Sequence, residues 1–298
     1  MSATDSVDGM VGAYTGNNYV KALTFTTFLG IALYNSVELA ILVFATFQCY
    51  RGLYFWSLLL SALLGVVPQA VSFILKYFML APLALSLTIS TIGWYFMVTG
   101  QAIVLYSRLN LLINDPVILR RVLIMIITNA VILHVPTTVI TYGSNFVGSP
   151  GWSTAYPIME RIELMGFSIQ EAIISGLYVL QTVRNLRLIP PGSRMHRSHR
   201  AVLYQVIASN LLMVLLDVIL LAMEYTNEFV YQTTFKSVVY SIKLKLELAM
   251  LNRLVTLVRP VQFFPEFEGQ MNRCSNIPHE LTDFSGFTRV VSSDTETR

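Results

Sequence analysis

Seven long apolar stretches constrain this chain more than any other feature. They run over residues 22–48, 53–75, 83–107, 118–142, 158–183, 200–224 and 228–255. A helix rises ~1.5 Å per residue, so about 20 apolar residues cover the ~30 Å hydrocarbon core of a bilayer. Each stretch reaches that length, the seventh with the weakest hydropathy. The expected fold class is therefore all-α: a polytopic membrane protein built as a bundle of seven transmembrane helices. Composition agrees. Of 298 residues, 54% are hydrophobic and 12% charged, where a soluble domain carries about twice that charged fraction. The mean hydropathy is +0.60.

The expected organisation has three parts: an extracellular N-terminal segment over 1–21, a seven-helix domain over 22–257 and a disordered cytosolic tail over 258–298. The first segment is polar, with Asp5 and Asp8, and has no basic region leading into an apolar one. The first span should act as its own insertion signal. The tail is acidic, rich in Ser and Thr and poor in aliphatic runs, a composition that cannot bury a core. Cys49 and Cys274 fall at or beyond the expected cytoplasmic face, so no disulfide framework is expected. Pro82, Pro116 and Pro157 sit just before spans, where a missing N–H costs nothing. Pro68 and Pro136 lie within spans and should kink them.

Basic residues set the orientation. Arg51, Arg108, Arg120 and Arg121 flank the first and third links. Arg184, Arg187, Arg194, Arg197 and Arg200 crowd the fifth, and Arg253 and Arg259 close the seventh span. The other side carries Lys21, Lys76 and Arg161. This asymmetry puts the N-terminus outside and the C-terminus in the cytosol, in the plasma membrane or another membrane of the secretory pathway. The expected partners are the bilayer itself, anionic lipid at the five-arginine link, and a cytosolic signalling protein at the same face. No nucleic-acid partner is expected.

Three stretches carry a resemblance: "RGLYFWSLL" (51–59), "MVTGQAIVLYSRLNLL" (97–112) and "VYSIKLKLELAMLNRL" (239–254). Together they resemble a family of uncharacterised fungal seven-span integral membrane proteins defined by a domain of unknown function. The resemblance reaches to about Arg259. It implies a seven-helix membrane protein and supplies no catalytic residues.

Charges inside apolar spans are expensive, about 2.5–3.5 kcal/mol each at a helix centre, and they usually face the bundle interior. The candidates are Glu38, Glu171, Asp217, Lys236, Lys243, Lys245 and Glu247, with His134 and Trp94 as further polar groups. At about 100° per residue, Lys236, Tyr240, Lys243 and Glu247 share one arc of the last helix, which should face protein. Lys245 lies nearly opposite and should snorkel toward headgroups. With each helix centred on the midplane, Glu38 falls level with Lys243, and Asp217 with Lys236. Both pairs would be neighbours in a sequential ring, with Glu247 as a second partner for Lys243. His134 is the nearest polar candidate for Glu171. Four acids against three bases favour mutual neutralisation that fixes helix packing. The alternative is a polar cavity for a ligand, ion or proton, lined by Trp94, His134, Asp217 and Lys236.

Seven helices, an outside N-terminus and a basic cytoplasmic link fit a receptor-like or sensory protein. "YSR" (106–108) reads as an interfacial anchor. A retinal Schiff base at the last helix would need a counter-ion, and 83–107 holds no Asp or Glu. The chain has four histidines and no zinc-ligand spacing, Walker motif or nucleophile elbow, so neither catalysis nor a bound metal or cofactor is expected. A small-molecule or ion transporter is the main alternative, though no inverted repeat is visible. A structural membrane scaffold without a ligand is the other.

Overall fold

The computed structural model describes residues 19–47, 52–110, 112–113, 115–147, 149–187, 194–224 and 229–258. These form seven helices, with no strand among the described residues. They are α1 (Tyr19–Thr46), α2 (Leu53–Tyr77), α3 (Leu83–Asn110), α4 (Pro116–Phe146), α5 (Pro150–Arg187), α6 (Arg194–Glu224) and α7 (Phe229–Val258). Six are long and apolar enough to cross a membrane. The helix outside that set is α7, which carries Lys236, Lys243, Lys245 and Glu247. Cys49, Cys274 and the segments 1–18 and 259–298 lie outside the described residues.

Local chemistry explains several ends. Asp115 caps α4 by accepting from the Val117 N–H at 3.0 Å, and Pro116 follows at the first turn as its missing N–H allows. Met79 takes φ 53° just past α2, and the Leu80 N–H closes back on the Leu75 carbonyl at 3.0 Å. A left-handed residue followed by such a bond is the Schellman way of ending a helix, here without the usual glycine. One expectation is corrected: α5 begins at Pro150, so Pro157 lies inside it rather than ahead of it. Pro136 sits within a continuous α4. In α2 the turns Ser61–Val66, just before Pro68, are wound as π-helix. A proline deprives the carbonyl four residues back of its donor, and a wider turn next to it absorbs the mismatch.

The helices close a ring. α1 packs on α2 and α7, and α6 packs on α5 and α7, as a sequential ring requires. α3 is central, in contact with α2, α4, α5 and α7. It lies unusually close to α2 because of small residues. A Cβ on Gly93 would fall 2.7 Å from the Gln69 nitrogen, and one on Gly100 would fall 2.7 Å from the Ser61 Cβ. Small residues at a helix–helix seam are what permit such close backbone approach.

The polarity of the bundle runs opposite to that of a soluble protein. Ile124, Ile127, Val131, Val135 and Val139 line the outer face of α4, each more than half exposed. Lys243, Glu247 and Arg108 are buried at its centre.

Candidate functional site

The buried polar groups hang on one face of α7. Lys236, Tyr240, Lys243 and Glu247 recur at helical spacing and are all buried, so the predicted arc does face the bundle. Each charge on it meets a different tier of partners.

At the tier nearest the start of α7, Lys236 Nζ lies 2.6 Å from Glu160 Oε1 and 2.8 Å from Glu224 Oε2. Beside it, Glu163 Oε1 accepts from Trp94 Nε1 and from His134 Nδ1, both at 2.8 Å. A carboxylate only accepts, so Nδ1 of His134 carries the hydrogen. The other ring nitrogen lies 3.1 Å from the Thr99 hydroxyl. The middle tier is Lys243, held by Glu171 at 2.8 Å and by Asp217. Tyr240 covers it, with the ammonium 5.1 Å from the ring centroid. In the third tier, Arg108 Nη1 lies 2.9 Å from Glu247 Oε2 and Nη2 donates to Asn210 Oδ1 at 2.9 Å. The Tyr178 ring lies 4.3 Å from the guanidinium. Lys245 stands off this face, half-buried, and pairs with Glu38 and Asn35 of α1.

These contacts correct the predicted pairing. Lys243 meets Glu171 and Asp217 rather than Glu38 and Glu247, Lys236 meets Glu160 and Glu224 rather than Asp217, and His134 meets Glu163 rather than Glu171. Glu38 belongs to Lys245, which is ion-paired rather than reaching out alone. Arg108 is no interfacial anchor, being 2% exposed. The physical reason is register. α6 and α7 are joined by the short link 225–228 and run antiparallel, so the link, not the centre of each apolar stretch, decides which residues face each other. Asp217 and Glu224 are seven residues apart, as are Lys236 and Lys243. A slip of one heptad therefore exchanges the partners.

Glu160, Glu163 and Glu224 were not among the predicted charges, and Arg108 was placed at the interface rather than among them. A signal for them existed in heptad repeats of polar residues: Asn210, Asp217 and Glu224 on α6, and Trp94, Gln101 and Arg108 on α3. On α5, Glu163 precedes Gln170 by seven, and both are buried.

One cavity of about 90 Å³ opens among these groups. Its walls come from the later turns of α2 and α4 and the early turns of α3, α5 and α7, so it lies toward a single end of the bundle. Trp94, His134 and Lys236 line it together with Glu160 and Glu163; Asp217 is a tier away and does not. Hydroxyl groups of α3 and α4 supply much of the remaining wall. Among the described residues no cluster of His, Cys, Asp and Glu suited to a metal ion is present. Of the five arginines of the basic link, Arg184 is exposed at the end of α5. The side chains of Arg187, Arg194, Arg197 and Arg200 lie outside the described residues.

Fold and site together define an all-helical bundle, apolar outside and charge-paired inside, six of whose helices are long and apolar enough to cross a membrane. A family model described as "Domain of unknown function (DUF7703)" matches residues 12–262, and the chain belongs to that family. No curated protein and no solved structure matches it.

Proposed function

We propose that this chain is a seven-span integral membrane protein of the receptor-like or sensory kind, with its N-terminus outside, that admits a small ligand at the outward end of its bundle. The observation that carries this is the cavity of about 90 Å³ bounded by Trp94, His134, Glu163 and Lys236. It lies at the end where α2, α4 and α6 finish and α3, α5 and α7 start. The distribution of arginines assigns that end to the outside. α7 counts as the seventh span although its composition is too polar for the usual measure. Lys236, Lys243 and Glu247 point inward and are neutralised by other helices, which removes the main cost of placing them in hydrocarbon. The family resemblance supports the same seven-span architecture. In this reading the protein has no catalytic role, the basic link of α5 and α6 meets anionic lipid, and a cytosolic signalling protein docks at the same face.

Substituted-cysteine labelling tests the proposal. Thr141→Cys lies in the cavity wall. It should react with a membrane-impermeant thiol reagent added to intact cells. Reaction only after permeabilisation would overturn the outward assignment. A transporter is the second reading, favoured by the buried charges that continue below the cavity as Lys243, Glu247 and Arg108. It requires Gln101→Cys, deep in α3, to become reachable from the cytosolic side. A receptor-like bundle keeps it protected from both sides.

A further inference from the structure

The charges around the cavity are already balanced. Lys236 sits between Glu160 and Glu224, Glu163 takes hydrogen bonds from an indole and an imidazole, and the three acids Glu160, Glu163 and Glu224 are met by the three bases Lys76, Lys236 and Arg161. A charged ligand would bring an uncompensated charge into a buried site, which is costly. What the wall still offers is hydroxyl chemistry. Thr91, Thr137 and Thr141 spend their hydrogens on their own helices, donating to the carbonyls of Leu87, Leu133 and Thr137 at 2.9, 2.8 and 2.7 Å. Each hydroxyl oxygen keeps a lone pair for a donor. Ser86, 1% exposed and also in the wall, has no hydrogen-bond partner among the described residues. Trp94 and Tyr95 bring aromatic carbon to the same wall. Size narrows the class further. At about 90 Å³ the cavity is smaller than the ~150 Å³ engineered cavity that accepts benzene.

From this geometry we infer that the cavity is a binding site for a small neutral polyol of about four to six non-hydrogen atoms. The ligand hydroxyls donate to the threonine oxygens and exchange a hydrogen bond with Ser86, while the carbon chain lies against the aromatic rings. This rests on the outward-cavity reading above and deepens it.

Ligand-observed saturation-transfer NMR on the purified full chain in detergent micelles tests it, with ethylene glycol, glycerol, sorbitol, ethanolamine and acetate as probes. The expected result is saturable transfer to ethylene glycol and glycerol, with little to the longer sorbitol or to the two charged probes. Ser86→Ala and the near-isosteric Thr137→Val should each weaken glycerol binding about three- to tenfold, the loss of one hydrogen bond. Both should be compared at unchanged melting temperature. If one fails to fold, the other carries the test. No saturable transfer to either short polyol, or preferred binding of ethanolamine or acetate, would overturn the inference. Either result would leave the cysteine-labelling outcome intact, so a wrong ligand class and a wrong site are told apart.

Discussion

Lys243→Met would leave Glu171 and Asp217 facing one another inside the bundle with no cation between them. Breaking a buried pair from one side typically costs about 3–5 kcal/mol, so thermal stability in detergent should fall sharply. Adding Asp217→Asn should recover part of the loss, and a double-mutant cycle measures the coupling. Adding Glu38→Gln instead should give losses additive within about 0.5 kcal/mol, since Glu38 pairs with Lys245. Gln101 should behave in the opposite way. It is fully buried, and neither amide atom has a hydrogen-bond partner among the described residues. Gln101→Leu removes a desolvated group worth about 1–3 kcal/mol, so stability should hold or rise; a loss comparable to that of Lys243→Met would show that the amide has a partner. At this scale the sequence was half legible. The inward arc of Lys236, Tyr240, Lys243 and Glu247 followed from helical spacing alone. Their partners did not, because spacing fixes direction around a helix but not depth between helices.

Depth is a property of paired elements. In α6 and α7, residues on either side of a short link face each other, and heptad spacing on both helices makes the alternative register look equally good in sequence. The existence and order of the helices were legible, because each apolar stretch is long and the links are short. The start of α5 was not. Its first turns, from Pro150, hold Ser, Thr and a second proline, the composition of a loop, and tertiary contacts make them helical. Gly143 at the end of α4 shows one such contact: a Cβ there would lie 2.5 Å from the Trp152 ring. The α2–α3 contact yields a prediction of its own. Gly93→Ala forces a methyl group to within 2.7 Å of the Gln69 backbone, where no flexible side chain can yield. Overpacking of this kind costs about 1–3 kcal/mol. Gly30→Ala, with open space around its Cβ, should cost nothing. Equal melting temperatures for the two variants would mean that α2 and α3 are less closely packed than the glycines indicate.

In the whole molecule an apolar exterior encloses an interior of paired charges and a cavity at one end. The interior was predicted as mutual neutralisation and the cavity as its alternative. The structure contains both, because the first tier of pairs forms part of the cavity wall. That could not be read from the sequence while Glu160, Glu163 and Glu224 were left out of the count. The basic link over 184–200 adds a test at this scale. Its five arginines should bind anionic vesicles in a salt-dependent way, each worth about 1 kcal/mol near the surface. Equal binding of the corresponding peptide to neutral vesicles would remove anionic lipid as a partner. If α7 crosses the membrane as proposed, its charges neutralised by the bundle, the chain crosses an odd number of times. An odd number of crossings puts the two ends of the chain on opposite sides. Reporter glycosylation sites fused to each end measure this directly. Seven spans with the N-terminus outside give modification at the N-terminus and none at the C-terminus; the same outcome at both ends would rule them out.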